Sequence, residues 1–177
     1  MKKIISIVLS LALLVFLFPS HEIYAAEQNE DIDFGEPIQV RTYEDENGYT
    51  VVEKTYFAAG QEGITPYDKS GNGWYKNEKT YTWDKNTSSE KVMTYYAKGY
   101  FSWGDDDVNV SRISGDVSGV PSNVTISNKK TTSGKGKYGA LFNNYAYVSF
   151  SFTAKNPIGN TTDFSVMIRV SESGNTF

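Results

Sequence analysis

The clearest pattern lies near the end of the chain. Ala146, Val148, Phe150 and Phe152 alternate with Tyr147, Ser149, Ser151 and Thr153. After a turn at Pro157–Asn160, Phe164, Val166, Ile168 and Val170 alternate with Ser165, Met167 and Arg169. A two-residue period with one apolar face predicts an antiparallel hairpin packed on one side. The same period predicts strands over 38–43 and 49–57, joined by a tight turn at Asn47-Gly48. Further strands are expected at Trp74–Asp84, Lys91–Trp103, Val108–Ile113, Val124–Asn128 and Tyr138–Phe142. Gly99 interrupts the second of these and marks a bulge. The lysine- and glycine-rich run 129–137 reads as a loop. No stretch after the N-terminus keeps apolar residues at helical spacing, and strand-forming Val, Thr and Tyr dominate. Together these features predict an all-β antiparallel β-sandwich of immunoglobulin-like proportions, with a small β-barrel as the alternative.

The N-terminus follows another rule. Met1-Lys2-Lys3 precedes an almost unbroken apolar run, Ile4 to Phe18, and Ile23-Tyr24-Ala25 offers a small-residue cleavage site. That layout is a secretory signal peptide over 1–25, with cleavage after Ala25 or Ala26. The expected organisation continues with an acidic leader over 26–37 and an N-terminal β-hairpin over 38–57. A Gly-rich loop or linker over 58–73 and the main β-sandwich over 74–177 follow. The chain is expected to be secreted, with no integral membrane segment after cleavage.

Composition then narrows the chemistry. The sequence has no cysteine, and its one histidine, His21, leaves with the signal peptide. Loss of Lys2, Lys3 and Glu22 moves the net charge from −4 to −5. Without histidine or cysteine there is no Ser-His-Asp triad, thiol nucleophile or imidazole–thiolate metal site. The acidic balance disfavours nucleic acid as a partner. An enzyme would need a pair of carboxylates, as in glycoside hydrolysis. Glu53, Glu78, Glu90, Asp84 and Asp163 are the candidates, and nothing in the sequence pairs any two. The chain is therefore read as no enzyme.

The Lys-Lys leader, the cysteine-free Thr/Tyr/Asn-rich body and the alternating run Tyr145–Val170 carry a resemblance. Over about residues 99–170 the chain resembles a family of small secreted Gram-positive (Firmicute) proteins with no assigned function. The resemblance implies export and offers no functional residues.

Three features are candidate sites. Nine aromatic residues fall between Trp74 and Trp103, and neighbours on a strand point to opposite faces. Trp74, Tyr75, Tyr81 and Trp83 are the candidate ligand-binding residues. At least two are expected to expose ring surface, Trp74 most of all, whereas Trp103 is expected to be buried. Asp105, Asp107 and Asn109, with Asp116 at the twelfth position, resemble the start of a calcium loop, although Val110 stands where such a loop needs glycine. A solvated hairpin turn is the competing reading. Lys129, Lys130, Lys135 and Lys137 form a basic patch suited to anionic wall polymers or lipid head groups, with a soluble loop as the competing reading, and Ser133–Lys137 lacks the spacing of a phosphate loop. The expected function is an extracellular binding module for a cell-wall polymer, glycan or cell-surface protein. The alternatives are a membrane-active toxin and, behind it, a carboxylate hydrolase.

Overall fold

The computed structural model describes residues 32–46, 48–83, 91–138 and 143–177, without the side chains of Trp83, Lys91, Tyr138 and Asn143. The expected signal peptide and most of the acidic leader lie outside the described residues, as do Asn47, Asp84 and Glu90.

Among the described residues the chain forms eight strands and no helix. They are β1 (Gln39–Glu44), β2 (Thr50–Ala59), β3 (Gly71–Trp83), β4 (Lys91–Gly104), β5 (Asp107–Ser118), β6 (Thr125–Tyr138), β7 (Asn143–Lys155) and β8 (Thr161–Ser171). All pairings are antiparallel and sequential, giving a five-stranded sheet β1–β5 and a three-stranded sheet β6–β8. The two sheets pack face to face as a β-sandwich and do not close into a barrel. Each sheet is a meander, so the connectivity has no Greek key.

The alternating residues of the last hairpin fill the interface as their period requires. Val148, Phe150, Phe152, Phe164 and Val166 meet Tyr75, Met93, Tyr95, Phe101 and Val108 from the larger sheet. Phe152 stacks on Phe164 with ring centroids 5.3 Å apart, and Tyr95 meets Phe152 edge-on at 5.3 Å. Trp103 is buried, as expected. Its indole N–H donates to the Asp68 carbonyl at 2.8 Å, and the Tyr75 hydroxyl donates to Gly174 and Pro66 carbonyls at 2.7 and 3.1 Å. The segment between β2 and β3 thus folds over one end of the core. The N-terminal hairpin continues the larger sheet, because β2 pairs with β3 from Thr50↔Thr82 to Ala59↔Gly73.

Two details depart from the sequence reading. The register slips opposite Gly99, between Lys98 and Tyr100, but the extra residue sits on β5 near Arg112, whose φ is +47°. The larger departure is the run 129–137, which is strand, not loop. It lies within β6 and pairs with β7 through Tyr138↔Asn143. Gly134 and Gly136 face Tyr147 and Tyr145 across the ladder. A Cβ on either glycine would approach the tyrosine ring to 2.9 Å or less. The rings lie over bare backbone, restoring the packing that a glycine strand lacks.

Candidate functional site

The outward face of the larger sheet answers the first sequence expectation, and corrects it. Trp74 and Tyr75 do face opposite ways: Tyr75 lies in the core, fully buried, and Trp74 lies outside it. Yet Trp74 is only 7% exposed. Tyr100 packs against it edge-on at 5.6 Å, and the Lys98 ammonium lies 5.7 Å from its ring centroid. Arg112 in turn covers Tyr100 at 4.9 Å. Long cationic side chains lay their methylene stems across apolar surface while the charge reaches water. Facing outward therefore did not mean exposed. Tyr81 is 5% exposed, packs on Phe164 and donates to Asp45 at 2.9 Å. The Trp83 ring lies outside the described residues. Trp74, Tyr75 and Tyr81 do not form a connected exposed patch.

The acidic hairpin takes the solvated-turn geometry. Asp105 and Asp106 are its two corner residues, with φ of +53° and +61°. Asp107 accepts from Lys135 at 2.8 and 3.1 Å and from Asn109 at 3.1 Å. The Lys135 ammonium beside it holds the Asp107 carboxyl below its ordinary value. Asp116 lies at the far end of extended β5, about 30 Å along the strand from Asp107, so the twelve-residue spacing does not bring the acids together. No group of three metal-ligating side chains occurs among the described residues. Two of the four candidate lysines are spent on these acids, Lys135 on Asp107 and Lys129 on Asp116 at 2.7 Å.

A different site emerges where the sheets are unequal. The smaller sheet packs over β3, β4 and β5, with β8 touching β3 and β4. The inner face of β1 and β2 is left overhanging the β8 edge. Two rows of polar side chains cross this overhang, because register aligns Arg41 with Glu53 and Lys79, and Gln39 with Thr55 and Asn77. Above and below them the same faces return to Phe57–Tyr75 and Val51–Tyr81. The rows and the β8 edge enclose a cleft of about 290 Å³, rimmed by Met167, Arg169 and Phe177.

Asn77 is the centre of the cleft. Its residue is 6% exposed, and its amide nitrogen donates to Glu53 at 2.7 Å and to the Met167 carbonyl on β8 at 2.9 Å. Its Oδ1 is buried without a hydrogen-bond partner. A buried acceptor left unpaired costs on the order of 1–3 kcal/mol, so native structures seldom leave one without a purpose or a bound molecule. Glu53, the one side-chain carboxylate lining the cleft, is also approached by Lys79 at 3.9 Å. Glu78 points to the opposite face, where it accepts from Lys76 at 3.0 Å and Tyr56 at 3.4 Å. Asp163 accepts from Thr153 on the exposed side of the smaller sheet. None of these three carboxylates faces another.

Sequence reasoning passed over Asn77, Thr55, Arg41 and Arg169. The available signal was a paired interruption. Glu53 and Thr55 break the in-phase series Val51 to Phe57, and Asn77 and Lys79 break Tyr75 to Tyr81. No protein-family model, curated protein or solved structure matches this chain.

Proposed function

We propose that the chain is an exported, non-enzymatic β-sandwich that holds a glycan of the cell exterior in the cleft between β1–β3 and β8. The observation that carries this reading is the unpaired Oδ1 of Asn77, buried at the cleft floor. A sugar hydroxyl is a donor of the right kind for such an acceptor, and the hydroxyl of Thr55 and the amide of Gln39 stand in the same row. Met167 and Phe177 give the rim apolar surface against which a sugar ring can lie. The cleft is at the small end of the range for small-molecule sites, about 300–1,000 Å³, enough for one or two sugar units. The signal-peptide pattern over 1–25 supports action outside the cell.

The membrane-active reading draws on the alternation of β7 and β8. Those apolar faces are the core of the sandwich, so insertion would require its dismantling. The test is a glycan array probed with the chain and with Thr55→Val. That variant keeps the shape of the floor and removes one hydroxyl. Selective retention by wild type and weaker retention by the variant is the expected result. Equal retention of every glycan, or of none, contradicts the proposal.

A further inference from the structure

Resting on that reading of the cleft, we infer that its ligand is an anionic glycan, whose acid group is gripped by Arg41 and Arg169 while a neighbouring hydroxyl donates to Asn77. The chain contains three arginines, Arg41, Arg112 and Arg169, against fourteen lysines. Two of the three line this one cleft. The third, Arg112, lies against Tyr100 on the far face.

The two guanidiniums are also the cleft's uncommitted charges. Lys79 and Asn77 already answer Glu53. Among the described residues Arg41 makes no ion pair with a carboxylate; with the Gln39 amide turned to face it, that oxygen accepts from Nε and Nη2 at 3.2 and 2.9 Å. Arg169 likewise has no carboxylate partner among the described residues. Its Nε donates to the Met167 sulfur at 3.2 Å, and its guanidinium lies 5.8 Å from the Tyr145 ring centroid. Elsewhere on the sandwich three lysines meet acids, Lys76 with Glu78, Lys129 with Asp116 and Lys135 with Asp107, while Lys98 and Arg112 lie over aromatic rings. Two arginines left without acids on an acidic protein form a local cationic site. The planar fork of arginine matches carboxylate and phosphate oxygens in two parallel hydrogen bonds, which an ammonium cannot do.

An acid group of this kind occurs in uronic acid polymers as a carboxylate and in polyol-phosphate polymers as a phosphodiester. The shared chemistry is an anionic oxygen pair flanked by hydroxyls. Titration calorimetry with trigalacturonate, its methyl ester, galactotriose and poly(glycerol phosphate) separates the sources. At least one anionic ligand is expected to bind roughly tenfold more tightly than the neutral sugars. Arg41→Gln and Arg169→Gln are each expected to abolish that advantage, with an unchanged near-ultraviolet circular dichroism spectrum verifying the fold. Binding should weaken with added salt. Neither trigalacturonate nor poly(glycerol phosphate) binding more tightly than the neutral sugars, with affinities unaltered in both variants, overturns the anionic inference and leaves a neutral glycan site. No heat from any of the four ligands overturns the inference and counts against the glycan reading as well.

Discussion

The two open sides of the sandwich use charge in opposite ways. Where β5 meets β6, acids from one sheet meet lysines from the other: Lys129 reaches Asp116 at 2.7 Å and Lys135 reaches Asp107 at 2.8 Å. These pairs lie across the gap between the sheets and fasten it. On the other side a five-stranded sheet faces a three-stranded one, so among the described residues β1 and β2 have no strand above them. There the cations are Lys79, which answers Glu53 on its own sheet, and Arg41 and Arg169, which no acid among the described residues crosses to meet. A sheet of unequal width must leave one side uncovered. The residues placed there decide whether it is merely wet or built to receive something. Here the uncovered side has an aligned polar floor, a buried unpaired acceptor and unmatched arginines.

The largest expected effect tests the closed side. Phe150 on β7 is buried against Gly115 of β5, and Phe150→Ala should lower stability by about 3–5 kcal/mol, read by urea denaturation. A loss under about 1 kcal/mol would mean that the sheets are not packed there as described. Next comes the open side. Asn77→Ala removes the donor that holds Glu53 and the β8 carbonyl of Met167 but also the unpaired Oδ1, so the loss is partly offset and should be about 1–2 kcal/mol.

A smaller effect belongs to the fastening pairs. Lys129→Ala should cost no more than about 1 kcal/mol, and less at high salt, because both partners are half exposed. Lys135 holds Asp107 below its ordinary carboxyl value of 3.8. For Asp116 partial burial pushes upward, but the Lys129 hydrogen bond and charge and the Val117 amide outweigh it, and the net shift is down. Carboxyls depressed in the folded state add stability that is complete above their ordinary value and lost as pH falls through the folded one. Melting temperature should therefore drop as pH falls below about 4, and the drop should be shallower in an Asp107→Asn, Asp116→Asn double variant. Equal slopes would show that these pairs fasten nothing. Arg41→Gln and Arg169→Gln should change stability least, within about 0.5 kcal/mol. A larger loss would mean that the arginines are structural, and would erase the contrast between the two sides.

What the sequence revealed depended on how far the relevant partner lay along the chain. The last hairpin was legible because its two strands are neighbours and each shows its own period. Trp103 was correctly placed in the core because Met93, Tyr95 and Phe101 share its face on one strand. Trp74 was misjudged because what covers it comes from other strands: Lys98 and Tyr100 on β4, with Arg112 on β5 covering Tyr100. Glycine content made 129–137 look like a loop, since the compensating rings, Tyr145 and Tyr147, lie on the next strand. The cleft was the least visible feature. Its rows exist only when three strands are set in register, and Asn77 alone looks like an ordinary polar break in a strand.

The most direct test is a nuclear magnetic resonance titration of the 15N-labelled chain with trigalacturonate, following the Asn77 side-chain amide and the Nε–H groups of Arg41 and Arg169. Saturable shifts at all three, with the Trp74 indole and the amides of Asp107 and Asp116 unmoved, are the predicted result. Shifts confined to the Trp74–Tyr100 face or to the β5–β6 side, with Asn77 unmoved, would contradict the cleft as the ligand site.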